Sequence, residues 1–146
     1  MSIFGSMDIS STGLSAQRLR MDAISNNIAN VNTTRTSDGE PYRRTRLIFE
    51  EIPNKNFRYV LSNKIKEVPG RGVRVVALKK DDAPFKMVYD PTHPDADDSG
   101  YVRMPNVDIV VEMIDMISAT RSYEANITVL NSSKSMIVKA LDIGKV

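Results

Sequence analysis

The sequence predicts a mainly α fold with a small β or irregular insertion. Long N- and C-terminal helices are expected to pair as an antiparallel, coiled-coil-like core, with a short β-rich segment between them in the chain. Apolar residues recur with a seven-residue period near both ends, and turn residues alternate with short apolar runs in the middle. The predicted boundaries are 1–34 for the first core helix, 35–104 for the middle segment and 105–146 for the last core helix.

The first helix is predicted to begin near Ser6 or Asp8, either of which can cap it. It is predicted to end near Val31, where asparagine and threonine residues favour side-chain bonds to the backbone over further helix. An apolar stripe that repeats every seven residues stays on one face of a helix, and a partner helix is required to bury it. One seam position holds Met7, Leu14, Met21 and Ile28, and the second holds Ser10, Gln17, Ile24 and Val31.

The last helix is predicted to begin after Pro105, with Asn106 as its cap and Asp108 near the positive end of the helix dipole. It is predicted to end at Gly144, which makes it long for this chain and favours assembly over catalysis. Its seam residues alternate spacings of four and three without interruption. They are Ile109, Met113, Met116, Thr120, Tyr123, Ile127, Leu130, Lys134, Ile137 and Leu141.

The middle segment is predicted to contain four short strands. The stretch from Asp90 to Gly100, which follows the last of these strands, combines prolines with aspartates and is predicted to be a loop. Turn residues such as Pro69-Gly70 separate the strands. The predicted strands are Leu47–Ile52, Phe57–Leu61, Val73–Leu78 and Phe85–Tyr89.

The composition argues against several classes of function. The chain has no cysteine, so disulfides, thiolate metal sites and cysteine nucleophiles are excluded. No Walker loop, dinucleotide fingerprint or catalytic triad can be assembled. No cleavable secretory signal is expected, and the apolar stretch from Val107 to Ile117 carries acids and is not expected to insert into a membrane. We therefore expect no enzyme activity and no cofactor.

The net charge of +2 is unevenly distributed along the chain. Residues 1–80 hold 14 Lys or Arg and 7 Asp or Glu, whereas residues 81–146 hold 6 and 11. This asymmetry has three interpretations: the two halves pair within one subunit, they guide head-to-tail contacts between subunits, or they are two oppositely charged solvated faces.

The acidic loop resembles a calcium site only in part. Asp95, Asp97 and Ser99 match the first positions of an EF-hand loop, but Asn106 replaces the glutamate expected at the last position. Because no entering helix is predicted, metal binding is not expected. The single histidine, His93, is predicted to be a structural turn residue.

The basic residues of the middle segment suggest a nucleic-acid surface, but few aromatic residues accompany them to stack on bases. No nucleic-acid partner is therefore expected. The basic residues are Arg43, Arg44, Arg46, Lys64, Lys66 and Arg71.

Several motifs resemble those of bacterial flagellar axial proteins, the family of rod and hook subunits. Ser25-Asn26-Asn27-Ile28-Ala29-Asn30-Val31-Asn32-Thr33 is similar to the N-terminal signature of that family. The segments Tyr89–Asp97 and Met116–Asn126, with Lys134-Ser135-Met136 after them, are similar to the basal-body proximal-rod members. The resemblance covers nearly the whole chain except residues 35–70.

The resemblance implies a structural subunit that polymerises with other rod proteins into the drive shaft crossing the periplasm to the hook. It implies export by the flagellar type III apparatus without a cleavable signal. The implied partners are the protein itself, other rod proteins, the membrane-ring adaptor, the distal rod proteins and the export apparatus. No catalytic, cofactor-binding or metal residue is implied.

Together, the seam and the resemblance predict an assembly interface on both terminal helices, in which Asn27, Asn30 and Asn126 set the register. Two alternatives stay open at this point: a soluble helical adaptor for one partner protein, and a small basic nucleic-acid-binding protein. The predicted interface residues are Leu14, Met21, Ile24, Asn27, Ile28, Asn30, Val31, Tyr123, Asn126, Ile127, Leu130, Ile137 and Leu141.

Overall fold

The computed structural model describes residues 3–53 and 71–144, and within them the chain forms two long helices separated by short strands. The chain is mainly helical with a small β insertion, which confirms the predicted fold class. The elements are α1 Ile3–Ala29, β1 Thr45–Glu51, β2 Val73–Lys80, β3 Lys86–Tyr89, β4 Tyr101–Met104 and α2 Ile109–Ile143.

Three of the four predicted strands are confirmed, with shifts of a few residues at their ends. The fourth, Phe57–Leu61, lies outside the described residues, as do the turn at Pro69-Gly70 and the side chains of Lys64 and Lys66. The sequence reading missed β4, because it has only four residues and directly follows the acidic loop. β1 pairs with β2, and β3 pairs with β4.

The structure divides into two compact units, and each contains a section of both helices. The first unit comprises Met1–Arg18, Phe49–Val76 and Thr120–Val146, and the second comprises Leu19–Ile48 and Ala77–Ala119. The predicted boundaries at residues 34 and 104 are of another kind, because they separate the core helices of an assembly from the middle segment. That division stays a prediction.

In the second unit, α1 and α2 run antiparallel. Arg20 of α1 contacts Asp115 of α2, and Asn27, further along α1, contacts the earlier residue Glu112. The small Ala119 is fully buried in this unit. The hairpin of β3 and β4 is antiparallel, with Tyr89 opposite Tyr101, and the rings of these two tyrosines lie edge to face with their centroids 5.3 Å apart.

Helix α2 begins at Ile109 because Asp108 caps it. The Asp108 Oδ1 atom accepts hydrogen bonds from the backbone N–H groups of Val110, at 3.0 Å, and Val111, at 3.4 Å. The prediction that Asn106 is the cap is therefore wrong. Its side chain instead accepts from the Arg44 N–H and donates to backbone carbonyl groups before β3, which ties β1 to the start of α2.

In the first unit, two glycines allow close approach. The position that a Cβ atom would take at Gly13 of α1 lies 3.2 Å from the side-chain amide of Asn126 in α2. At Gly72, which has a φ of +119°, a Cβ atom would overlap the Thr12 side chain. The Thr12 hydroxyl accepts a hydrogen bond from the Val73 N–H at 3.2 Å and so attaches the start of β2 to α1.

One of the two predicted seam lines of α2 is displaced by one residue. The line through Met116, Tyr123, Leu130 and Ile137 is half-buried, as the prediction requires. The second line is wrong: Met113, Ile127, Lys134 and Leu141 are exposed, and Glu112, Ala119, Asn126 and Ser133 take the inward positions. The apolar repeat misleads here because these inward side chains are small or make hydrogen bonds, and the large apolar side chains beside them point outward.

We predict that Gly72→Ala destabilises the fold by about 2 kcal/mol or more, because it adds both left-handed strain and a steric overlap with Thr12. The control is Gly39→Ala, which has a φ of +78° but no atom within 4 Å of its Cβ position. This control should cost only about 1 kcal/mol. Urea unfolding of both variants measures the difference, and equal costs would contradict the predicted contact.

A second prediction concerns the Asp108 cap. The hydrogen bonds from Val111 and Val110 lower the pKa of this carboxyl below its usual 3.8, and the charge of Lys86 adds to the effect. The cap therefore stabilises folding above the usual pKa, and this contribution is lost as the pH falls through the lower folded-state value. Asp108→Asn retains a capping oxygen without a titrating group, so its helix signal should change less with acid in circular dichroism. An identical acid profile in the two proteins contradicts the cap.

Candidate functional site

A buried asparagine near the end of α1 joins three parts of the second unit. Asn27 is 1% exposed, and its amide makes four hydrogen bonds. The amide nitrogen donates to the Thr45 carbonyl and to Glu112 Oε2, both at 3.0 Å. The amide oxygen accepts from the Tyr42 hydroxyl and the Thr45 N–H, both at 2.9 Å. The full capacity of this amide is therefore used within one chain.

The partner of Asn27 on α2 is a buried carboxylate. Glu112 is 0% exposed, yet it lies on a helix rich in isoleucine, valine and methionine. The Arg44 side chain, just before β1, donates a hydrogen bond to Glu112 Oε1 and forms an ion pair with it. A buried carboxylate is tolerated only when a charge and hydrogen bonds compensate it, and Arg44 and Asn27 supply both.

A second carboxylate extends the cluster by one helical turn. Asp115 Oδ1 accepts from Arg20 at 2.9 Å, and its Oδ2 accepts from Arg44 at 3.1 Å. Because Arg44 contacts Glu112 as well, its planar guanidinium bridges both acids. We refer to Arg20, Asn27, Arg44, Glu112 and Asp115 as the polar cluster.

The local sequence explains how Arg44 reaches this position. Pro41 is buried, and the Tyr42 N–H donates to the Thr33 carbonyl, which holds the loop after α1. The Arg44 N–H then donates to Asn106 at 2.8 Å, while its carbonyl accepts from the Asp81 N–H at 2.7 Å. With its backbone bonded on both sides, Arg44 directs its side chain toward α2.

The face of α2 opposite to Glu112 is apolar and exposed. Val110, Met113, Ile114 and Ile117 recur at the spacing of one helical face, and each is between 54% and 65% exposed. We call these four residues the outer stripe. A monomeric protein rarely leaves adjacent large apolar side chains in water, so a stripe of this kind marks a contact surface.

The predicted interface residues occupy three environments. Ile24 and Asn27 are buried, Ile127 and Leu141 are exposed, and the remaining nine are half-buried. The structure places Asn27 inside the subunit, where it contacts α2, and its predicted role in the register of an assembly stays a prediction. Asn30 instead closes the end of α1, where its side chain donates to the Asn26 carbonyl and accepts from the Thr33 hydroxyl.

Asn126 lies between the helices of the first unit. Its side chain packs over Gly13 and donates to the Ser122 carbonyl at 2.8 Å. It therefore sets the approach of α1 and α2 within one chain. Whether the half-buried and exposed positions also contact neighbouring subunits stays a prediction.

The acidic loop uses its polar atoms for its own turns. Asp97 Oδ1 accepts from the N–H groups of Ser99 and Tyr101, and Asp95 accepts from the Thr34 hydroxyl. Asp90 accepts from Thr92, and these bonds lower the pKa of Asp90. Within residues 3–53 and 71–144, no group of three or more acidic or histidine side chains could hold a metal ion.

The single histidine has a structural role, as the sequence predicts. His93 Nδ1 accepts a hydrogen bond from the Asp95 N–H at 3.1 Å. The His93 carbonyl accepts from the Ala96 N–H at 3.0 Å, which continues the turn.

The basic residues just before and at the start of β1 all have partners. Arg44 is engaged in the polar cluster, Arg46 pairs with Asp81 at 2.8 Å, and Arg43 lies over the Phe85 ring at 4.2 Å. The pairing of Arg44 and Arg46 with later acids confirms the interpretation that the two charged halves of the chain pair within one subunit. The head-to-tail interpretation stays a prediction.

The sequence reading missed the polar cluster and the outer stripe. Glu112 and Asp115 are three residues apart, and Arg20 and Asn27 are seven apart, so each pair shares a helical face. A search for polar residues at helical spacing on both terminal helices could have indicated the cluster. No local sequence pattern indicates that Arg44 belongs to the cluster, because its position depends on how the loop between α1 and β1 folds.

No helix among the described residues is long and apolar enough to cross a membrane. The paired helices, the internal polar cluster and the outward apolar stripe define a structural subunit whose surface is suited to assembly. The terminal segments match two protein families. Residues 7–35 match the family described as flagella basal body rod protein, and residues 98–143 match the C-terminal region of flagellar basal body rod FlgEFG proteins.

Relatives of similar length agree with these matches. The chain is 54% identical to the flagellar basal-body rod protein FlgC of Borreliella burgdorferi, and the match covers 98% of both chains. It is 46% identical to the FlgC protein of Bacillus subtilis over 99% of this chain and 100% of the relative. The FlgC protein of Salmonella typhimurium is 39% identical over the same shares.

The chain belongs to the flagellar basal-body rod protein family. It is accordingly a structural protein of the flagellar basal body and not an enzyme. The adaptor and nucleic-acid alternatives receive no support from these relatives.

We predict that Asn27→Ala lowers the free energy of unfolding by about 2–4 kcal/mol, because it leaves buried groups of Thr45, Tyr42 and Glu112 without partners. The matched control is Asn26→Ala, the same substitution at the adjacent, exposed position of the same helix. It should change stability by no more than about 0.5 kcal/mol. Chemical denaturation compares them, and similar losses would show that the cluster contributes little.

Proposed function

We propose that this protein is a proximal-rod subunit that polymerises with other rod proteins through its terminal helices, as part of the drive shaft that carries motor torque to the hook. The observation that carries this proposal is the outer stripe. It is an apolar helical face that the chain leaves exposed while it buries Glu112, and half-buries Asp115, on the other side of the same helix.

The outer stripe can stabilise contacts between this subunit and its neighbours in the rod. Burying one large aliphatic side chain contributes about 1.5–3 kcal/mol. The outer stripe supplies four such side chains, each more than half exposed in the single chain. Contact with an apolar surface of an adjacent rod subunit would therefore stabilise the assembly considerably, and a single chain cannot gain this energy.

Further exposed apolar residues in the first unit extend the proposed contact surface. Val129, Met136 and Ile143 follow one another at seven-residue intervals on α2, and all are exposed. Ile127 and Leu141, which the sequence analysis placed in the interface, are also exposed in this unit. These positions give the first unit exposed apolar side chains of its own for contact with other rod subunits.

We also propose where the protein lies in the flagellum and which proteins it contacts there. The proposed site is the periplasmic section of the rod, with the membrane-ring adaptor on one side and the distal rod proteins on the other. The flagellar type III apparatus is proposed to export the chain. The family membership of the two terminal segments supports this assignment.

We predict that Ile114→Asp abolishes swimming while the purified protein keeps its helix content and stability. The side chain is 62% exposed, so a charge there is solvated in the single chain but would be buried between subunits. Ser37→Asp, which adds the same charge to an exposed turn, serves as the control and should leave cells motile. The measurements are a soft-agar motility assay and circular dichroism, and motile Ile114→Asp cells would contradict the proposal.

A further inference from the structure

Helix α2 has two opposite faces in the second unit, and the less apolar one is turned inward. Glu112 and Ala119 are fully buried, whereas Val110, Ile114 and Ile117 are exposed. Two residues along an α-helix correspond to a rotation of about 200°. The inward and outward faces of α2 are therefore nearly opposite, and rotation about the helix axis would exchange them.

The hydrophobic effect alone favours the reverse orientation. An amphipathic helix normally packs its apolar stripe against the protein, and burying carboxylates is unfavourable unless charges and hydrogen bonds compensate them. Nothing in the periodicity of α2 itself selects the observed orientation. The selection must come from groups that contact Glu112 and Asp115.

Those groups lie on two separate segments, and both also have contacts outside the helical residues of α2. Arg20 and Asn27 are on α1, and Arg44 is anchored through its backbone by Asn106 and Asp81. If α2 rotated, the buried Asn27 amide would lose one of its four hydrogen bonds, and the largely buried Arg44 guanidinium would lose both of its carboxylate partners. The polar cluster thus penalises every orientation except the observed one.

We propose that the polar cluster is an orientation lock: it holds the acidic face of α2 against α1 and thereby keeps the outer stripe on the surface. The lock acts within a single chain and does not depend on the proposed rod function. The proposed rod function is needed only for the further claim that the exposed outer stripe contacts other subunits. The lock explains why the chain retains the buried Glu112 and the half-buried Asp115 on a helix with enough apolar residues to form an ordinary core.

The test measures which face of α2 is accessible in the full-length protein. Because the chain has no cysteine, Ile114→Cys and Ala119→Cys each introduce a single reporter on the outward or the inward face. Maleimide labelling of the native protein should be at least about tenfold faster at position 114 than at position 119. Equal rates in this background would overturn the proposal.

The lock is then removed by Arg44→Met, which takes away the guanidinium shared by Glu112 and Asp115 and leaves both carboxylates better solvated by water than turned inward. We expect the ratio of the two labelling rates to fall at least about fivefold, because α2 then samples the reverse orientation. An unchanged ratio with retained helix signal would overturn the lock. Arg74→Met with Glu50→Met removes an exposed ion pair between β1 and β2 and should leave the ratio unchanged.

A milder variant decides the question if Arg44→Met loses its helix signal. Glu112→Gln keeps the size of the side chain but removes the charge that pairs with Arg44, and it should lower the ratio at least about twofold. A ratio equal to that of the unsubstituted protein would contradict the lock. Motility of the same variants tests the proposed function separately: a lowered ratio in swimming cells would support the lock and contradict the assembly role of the stripe.

Discussion

The buried ion pair between Arg44 and Glu112 is the interaction on which the second unit depends. An unpaired carboxylate at this depth would be strongly unfavourable, so α2 can lie where it does only because Arg44 and Asn27 meet it there. Asp115 and Arg20 extend the same constraint by one turn. The cluster joins both helices and the start of β1, so that three segments distant in sequence share one geometry.

This constraint accounts for the distribution of apolar surface. Since the acids take the inward positions of α2, the isoleucine, valine and methionine side chains beside them are directed outward. In an enzyme or a simple binding module such a surface would favour aggregation. In a flagellar basal-body rod protein it is the expected property of a subunit that completes its packing against other rod components.

In the described part of the first unit, segments are held together by close contacts at glycine residues and not by buried charges. Asn126 lies over Gly13, and Thr12 accepts a hydrogen bond beside Gly72, so each glycine makes room for a polar side chain from another segment. Amides and hydroxyls in these positions fix one register because their hydrogen bonds are directional, whereas aliphatic contacts tolerate sliding. Both units therefore rely on polar groups for specificity.

The sequence by itself determined that two long helices lie at the ends of the chain and that short strands separate them, because helix and strand periodicities are local properties. Its family motifs also identified the class of protein. The tertiary structure alone decided which face of α2 turns inward, that Asp108 rather than Asn106 caps this helix, and that Arg44 is a structural residue. These features depend on contacts between segments far apart in the chain. A buried carboxylate can take an inward position beside the line that the apolar repeat predicts, but only where folding brings a matching guanidinium to it.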